Sequence, residues 1–148
     1  MRTQFTVLKI LAMLLALMLS VFVVDLHASP LADPGDDAAQ IIGSPGYPIK
    51  NLYRVGFVEI DGENLVGARD MMWLEPGRYT LTVDMFIENP PGGRHTLMRS
   101  NLRDTSGYNK IEVVVEAGKR YHVLAKYDRE RKGVPFRTVL HQVESMVD

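Results

Sequence analysis

Lys110-Ile111-Glu112-Val113-Val114-Val115-Glu116-Ala117-Gly118-Lys119-Arg120-Tyr121-His122-Val123-Leu124-Ala125-Lys126-Tyr127-Asp128 is the stretch that decides the fold. Ile111, Val113 and Val115 alternate with Glu112 and Glu116, and Tyr121, Val123, Ala125 and Tyr127 alternate with His122, Lys126 and Asp128. A period of two is the signature of strands buried on one face. A slip of one residue turns a strand over. Pairing Val115 with Tyr121 puts both apolar rows on one side, so the stretch predicts a hairpin with a three- or five-residue loop around Ala117-Gly118-Lys119.

The same pattern extends towards the N-terminus. Val55 to Ile60 reads as a strand ending at Asp61-Gly62, a pair suited to positive φ. After a polar link, Met71 to Leu74 runs into Glu75-Pro76-Gly77, which reads as a type II turn with Gly77 supplying the positive φ. Tyr79, Leu81, Val83, Met85 and Ile87 alternate with polar residues up to Asn89-Pro90-Pro91-Gly92-Gly93. A weak strand is expected around His95 to Arg99. Towards the C-terminus, Phe136 to Val143 forms a last strand, with Phe136 and Leu140 facing the core and Arg137 and His141 outward. No window after Leu52 carries a helical period. About seven short strands in roughly 95 residues predict an all-β domain over 52–148, a two-sheet antiparallel β-sandwich.

The remainder divides in two. Ser29 to Pro48 holds Pro30, Pro34, Gly35, Gly43, Pro45, Gly46 and Pro48 among three aspartates, so 29–51 reads as a Pro/Gly-rich linker with little to bury. Before it, Arg2 and Lys9 precede an apolar run from Ile10 to Val24, closed by Asp25. As a helix that run spans about 22 Å, short of a bilayer core of about 30 Å. A positive start, a Leu-rich middle and Ala28 before a polar stretch make 1–28 a secretory signal, or an uncleaved membrane anchor helix if Leu26, two residues before Ala28, blocks cleavage. Either way the positive flank sends the rest of the chain across the membrane, into a periplasm or cell envelope.

Composition sets further limits. The 148 residues are 46% hydrophobic, a figure inflated by the N-terminal segment, and carry a formal net charge of −1. Beyond Ala28 there are 15 basic and 17 acidic side chains, a near-balance that argues against a nucleic-acid partner. Cysteine is absent, so neither a disulfide nor N-terminal Cys acylation can anchor the exported domain.

Two stretches have a familiar form. Val58-Glu59-Ile60-Asp61-Gly62 followed by Met72-Trp73-Leu74-Glu75-Pro76-Gly77-Arg78-Tyr79-Thr80-Leu81-Thr82-Val83 resembles the strand, turn, strand, Pro-Gly turn and strand of PEGA-type domains. Val113-Val114-Val115-Glu116-Ala117-Gly118-Lys119-Arg120-Tyr121-His122-Val123 is similar to a hairpin of small bacterial envelope β-sandwich proteins, many of them lipoproteins. This chain departs from them in lacking the acylated cysteine. The resemblance, over Val55 to Val143, implies an exported immunoglobulin-like or transthyretin-like sandwich acting as a binding or surface-layer accessory, and it brings no catalytic residues.

Candidate site residues are sparse. His122 and His141 are expected on adjacent strands and one outward face, but two histidines without a third ligand make a poor metal site. Asp61, Glu63 and Asp70, with Asn64, lack calcium-loop spacing, and Gly62 belongs to the turn. Ser100, Thr105 and Ser106 near His95 lack a Gly-x-Ser-x-Gly elbow. No catalytic residue, metal or cofactor is therefore assigned, and no enzyme activity is expected. Arg94, His95, Arg99 and Arg103 form a locally basic stretch suited to an anionic envelope partner. Trp73 reads as core, or as an aromatic platform for a sugar. The expectation is an exported, non-enzymatic binding or scaffold module for an envelope protein or glycan, with a carbohydrate-binding module as the first alternative and a small periplasmic hydrolase or metal-binding protein as the second.

Overall fold

A computed structural model describes residues 29–88, 107–128, 130 and 134–146. The expected N-terminal signal or anchor, the basic stretch from Arg94 to Arg103, and Ser100, Thr105 and Ser106 all lie outside these residues, as does the strand expected at His95 to Arg99. Among the described residues no helix is long and apolar enough to cross a membrane.

The chain is all-β. Its strands are β1 (Ala39–Ile42), β2 (Leu52–Ile60), β3 (Glu63–Arg69), β4 (Met71–Leu74), β5 (Gly77–Phe86), β6 (Lys110–Val115), β7 (Lys119–Tyr127) and β8 (Phe136–Ser145), with one 3-10 turn at Pro48–Lys50. They join in the order β4-β1-β7-β2-β5-β6, with β3 added to β2 and β8 to β7. β2 changes partners along its length. Leu52 and Tyr53 pair with Lys126 and Ala125 of β7, whereas Arg54 to Ile60 pair with β5. The ladders thus form two groups, β4-β1-β7-β8 and β3-β2-β5-β6, that share β2. Ile41, Leu74, Val123 and Phe136 from the first and Val55, Phe57, Leu81 and Val115 from the second meet in one buried cluster.

Alternation placed the faces correctly but not all the neighbours. Val113, Val115, Tyr121, Val123 and Ala125 are buried and Val114 is exposed, as the period of two requires. The expected hairpin is absent, however. Val115 pairs with Gly77 of β5, and Tyr121 with Ile41 of β1 and Val143 of β8. Glu116-Ala117-Gly118 is a corner that carries the chain from one ladder group to the other, so both apolar rows reach one core without touching edge to edge. Glu75-Pro76 does the same between β4 and β5, whose partners are β1 and the β2/β6 pair. Gly77 accordingly lacks the positive φ expected of a type II turn. Its want of a side chain is explained otherwise, since a Cβ there would lie 3.1 Å from the Tyr79 hydroxyl.

A tyrosine hydroxyl staples each corner. Tyr79 donates to the Glu75 carbonyl at 2.9 Å, and Tyr121 accepts from the Glu116 N–H at 2.9 Å. Burial, then the neighbouring Glu75 and Asp61 carboxylates, pushes the Tyr79 phenol above its ordinary pKa, which keeps that donor protonated. Each bond contributes about 1 kcal/mol. Tyr121→Phe and Tyr79→Phe should each lower stability by about that amount in urea denaturation; unchanged midpoints would remove the stapling role.

Of three other expectations, one holds and two do not. The Asp61-Gly62 turn forms as read, with φ of 51° and 84° and Ile60 paired to Glu63. The Pro/Gly-rich stretch is not irregular throughout, because Ala39–Ile42 inserts as β1 between β4 and β7, with Ala39 and Ile41 fully buried. The polar link before Met71 is the strand β3. Nearly all of it is exposed, and it bulges where its β2 partners step from Glu59 to Phe57, so it offers no alternation to read.

In β8, Phe136 is buried but Leu140 is 43% exposed, against expectation. Leu140 pairs with Val123 at the end of a regular ladder from Phe136, just before the β7–β8 register shift, and among the described residues β8 pairs with no strand but β7, so the inner face of β8 opens to solvent there.

Candidate functional site

The face of β4-β1-β7-β8 directed away from the core carries a hydrogen-bonded row that local sequence does not reveal. Met72, Leu74, Ala39, Ile41, Tyr121 and Val123 turn inward. By alternation their neighbours turn outward. Register then sets Trp73, Gln40, Arg120 and Glu144 in one line across four strands, and Met71, Ile42, His122 and Gln142 in the next.

The polar side chains hold one another. Gln40 donates its Nε2–H to the Met71 sulfur at 3.0 Å and accepts from Arg120 Nε at its Oε1. Arg120 also donates to Glu144 Oε1 at 2.9 Å, the oxygen that faces His122 Nε2 at 3.2 Å. Gln142 donates to Glu144 Oε2 at 3.2 Å. Gln40 is 7% exposed, and the Arg120 and Glu144 side chains are 39% and 34% exposed. An ion pair so open to water contributes little to stability. Stability is therefore a weak reason for the arrangement, whose main effect is to fix the orientation of five polar side chains beside Trp73.

The Arg120 guanidinium, followed by His122, holds the Glu144 carboxyl below its ordinary pKa. A carboxyl whose folded-state pKa lies below its unfolded value stabilises fully above the unfolded value and loses that contribution as pH falls through the folded value. Wild type should therefore be more stable than Glu144→Gln near neutrality, with the gap closing on acidification below the ordinary carboxylate range. Denaturant midpoints at stepped pH check this, and a gap independent of pH would contradict it.

The structure disposes of the sequence candidates as follows. Trp73 is half-buried at the head of the row. His122 and His141 are on adjacent strands but have separate partners: His122 meets Glu144, while His141 lies in the register shift with its ring tilted against Tyr47 at 6.0 Å. Asp61 serves its turn, accepting the Thr80 N–H at 2.7 Å, and Asp70 pairs with Arg54 at 3.3 Å. Among the described residues no three His, Cys, Asp or Glu side chains are grouped to hold a metal. Gln40, Arg120 and Glu144 escaped sequence reading because their meeting depends on β1 and on the β7–β8 register. The one available signal was polar alternation, Arg120/His122 against Gln142/Glu144.

Compared with known protein families, curated proteins and solved structures, the chain matches none.

Proposed function

We propose that this chain is an exported, non-enzymatic binding or scaffold module of the bacterial cell envelope, and that it engages its partner through the outer face of β4-β1-β7-β8. The row Trp73–Gln40–Arg120–Glu144 carries the reading: four strands bring it together, and its exposed ion pair does little for stability. A finer architecture accompanies it. Two ladder groups sharing β2, corners stapled by tyrosine hydroxyls, and a single core between them support a two-sheet sandwich of the immunoglobulin or transthyretin type. The PEGA-like stretches and the signal-like N-terminus support export, with 1–28 either removed or retained as an anchor.

Two measurements test the proposal. The full chain with a C-terminal tag should fractionate with the periplasm or membranes of a bacterial host, and recovery from the cytosol would overturn export. The purified domain should co-sediment with isolated bacterial envelopes. Arg120→Ala should reduce that retention several-fold, while Arg78→Ala, whose ion pair with Glu112 lies on the β5–β6 ladder, should leave it unchanged. Equal retention of both variants would overturn the choice of face.

A further inference from the structure

We infer that the ligand of this face is a neutral, hydroxyl-rich oligosaccharide, an inference that rests on the binding-module reading above. Arg120 and Glu144 are paired with each other at 2.9 Å, so the row offers no net field to select a polyanion or polycation. A neutral ligand must then be recognised by hydrogen bonds and by apolar contact.

The groups present suit that task. Arg120, Gln142 and Glu144 have planar polar ends that donate and accept side by side at the surface, and buried Gln40 and the mostly buried His122 orient Arg120 and Glu144 from beneath. Preorganisation of this kind lowers the ordering cost of binding. Arg120 spends only Nε and Nη1 on its partners among the described residues, leaving the Nη2 edge of the fork to donate to two adjacent acceptors. Adjacent ring hydroxyls present such a pair, and they also donate back to the Glu144 carboxylate.

The apolar contribution comes from Trp73 and from Met71, which is 50% exposed in the neighbouring line. The C–H face of a sugar ring is apolar, and the part of the half-buried indole left to solvent offers an apolar contact beside a polar margin. From Trp73 to Glu144 the row crosses three interstrand steps, about 14 Å, the span of a short oligosaccharide rather than a single sugar. The sheet face is open, which suits a chain ligand lying across the strands.

Trp73 is the only tryptophan in the chain, so it reports its own contact. The purified full chain is titrated with a panel of neutral oligosaccharides (malto-, cello- and chito-hexaoses) and with heparin as the anionic probe, following tryptophan emission and heat. At least one neutral oligosaccharide should give a saturable change in both signals. Trp73→Phe and Gln142→Ala should each weaken its affinity several-fold; Gln142 is exposed and outside the core, so its loss leaves folding intact. Binding confined to heparin, or unaltered by both substitutions, overturns the inference. So does silence across the neutral panel, and if envelope retention still falls in Arg120→Ala, that silence rejects the ligand class while the binding face stands. Loss of the retention difference rejects both.

Discussion

Gly43→Ala is expected to destabilise the domain by about 3 kcal/mol or more, lowering its Tm by roughly 10–20 °C. A Cβ at position 43 would stand 2.2 Å from the Val55 carbonyl oxygen and 2.9 Å from Val55 Cγ2. The closer obstacle is backbone, which cannot rotate away as a side chain can. Moving it would disturb two hydrogen bonds, Gly43 N–H to the Asp70 carbonyl at 2.8 Å and Val55 N–H to the Gly43 carbonyl at 2.9 Å. Gly43 is thus where the end of β1 crosses β2 at contact distance. Gly35→Ala is the control, because nothing lies within 4 Å of its Cβ position and its φ is not left-handed. It should change stability by no more than about 0.5 kcal/mol. Equal thermal shifts for the two variants would contradict the close approach.

Phe136→Ala should cost about 3–5 kcal/mol, the range for emptying a buried aromatic site. Phe136 is fully buried, edge-on to Tyr53 with ring centroids 5.8 Å apart and tilted against Tyr127 at 5.3 Å. These contacts join β8 to the β2–β7 junction, since Tyr53 pairs with Ala125 on β7 and Tyr127 pairs with Phe136 itself. Leu140→Ala, four residues along the same strand, should cost about 1 kcal/mol or less, because Leu140 is already 43% exposed. Alternation alone would rank the two positions alike. Urea midpoints for the pair therefore test whether the inner face of β8 opens to solvent at Leu140, and comparable losses would place Leu140 in the core after all.

The site was less legible than the strands. Trp73 stood out as a lone aromatic, and Arg120 and His122 stood out only as the polar half of an alternating strand. Gln40 could not be connected with either while Ala39–Ile42 lay hidden among prolines and glycines, since four residues are too few for a period to register. Glu144 is likewise unremarkable until β8 is aligned on β7 with its shift, which then carries Gln142, and not His141, to His122.

Sequence alone determined the strand class, the inward rows Val113/Val115 and Tyr121/Val123/Ala125, and the Asp61-Gly62 turn. These follow from local rules: a period of two assigns each side chain to a face, and a turn depends on the φ its own residues tolerate. Only the tertiary structure decided which strand lies beside which. An apolar row is satisfied by any arrangement that buries it, whether by pairing with the next strand in the chain or by crossing the core to another ladder. For β6 and β7 the second arrangement prevails, because β5 takes one edge of β6 while β1, β2 and β8 take both edges of β7. The row of Trp73, Gln40, Arg120 and Glu144 exists only as a result of that choice.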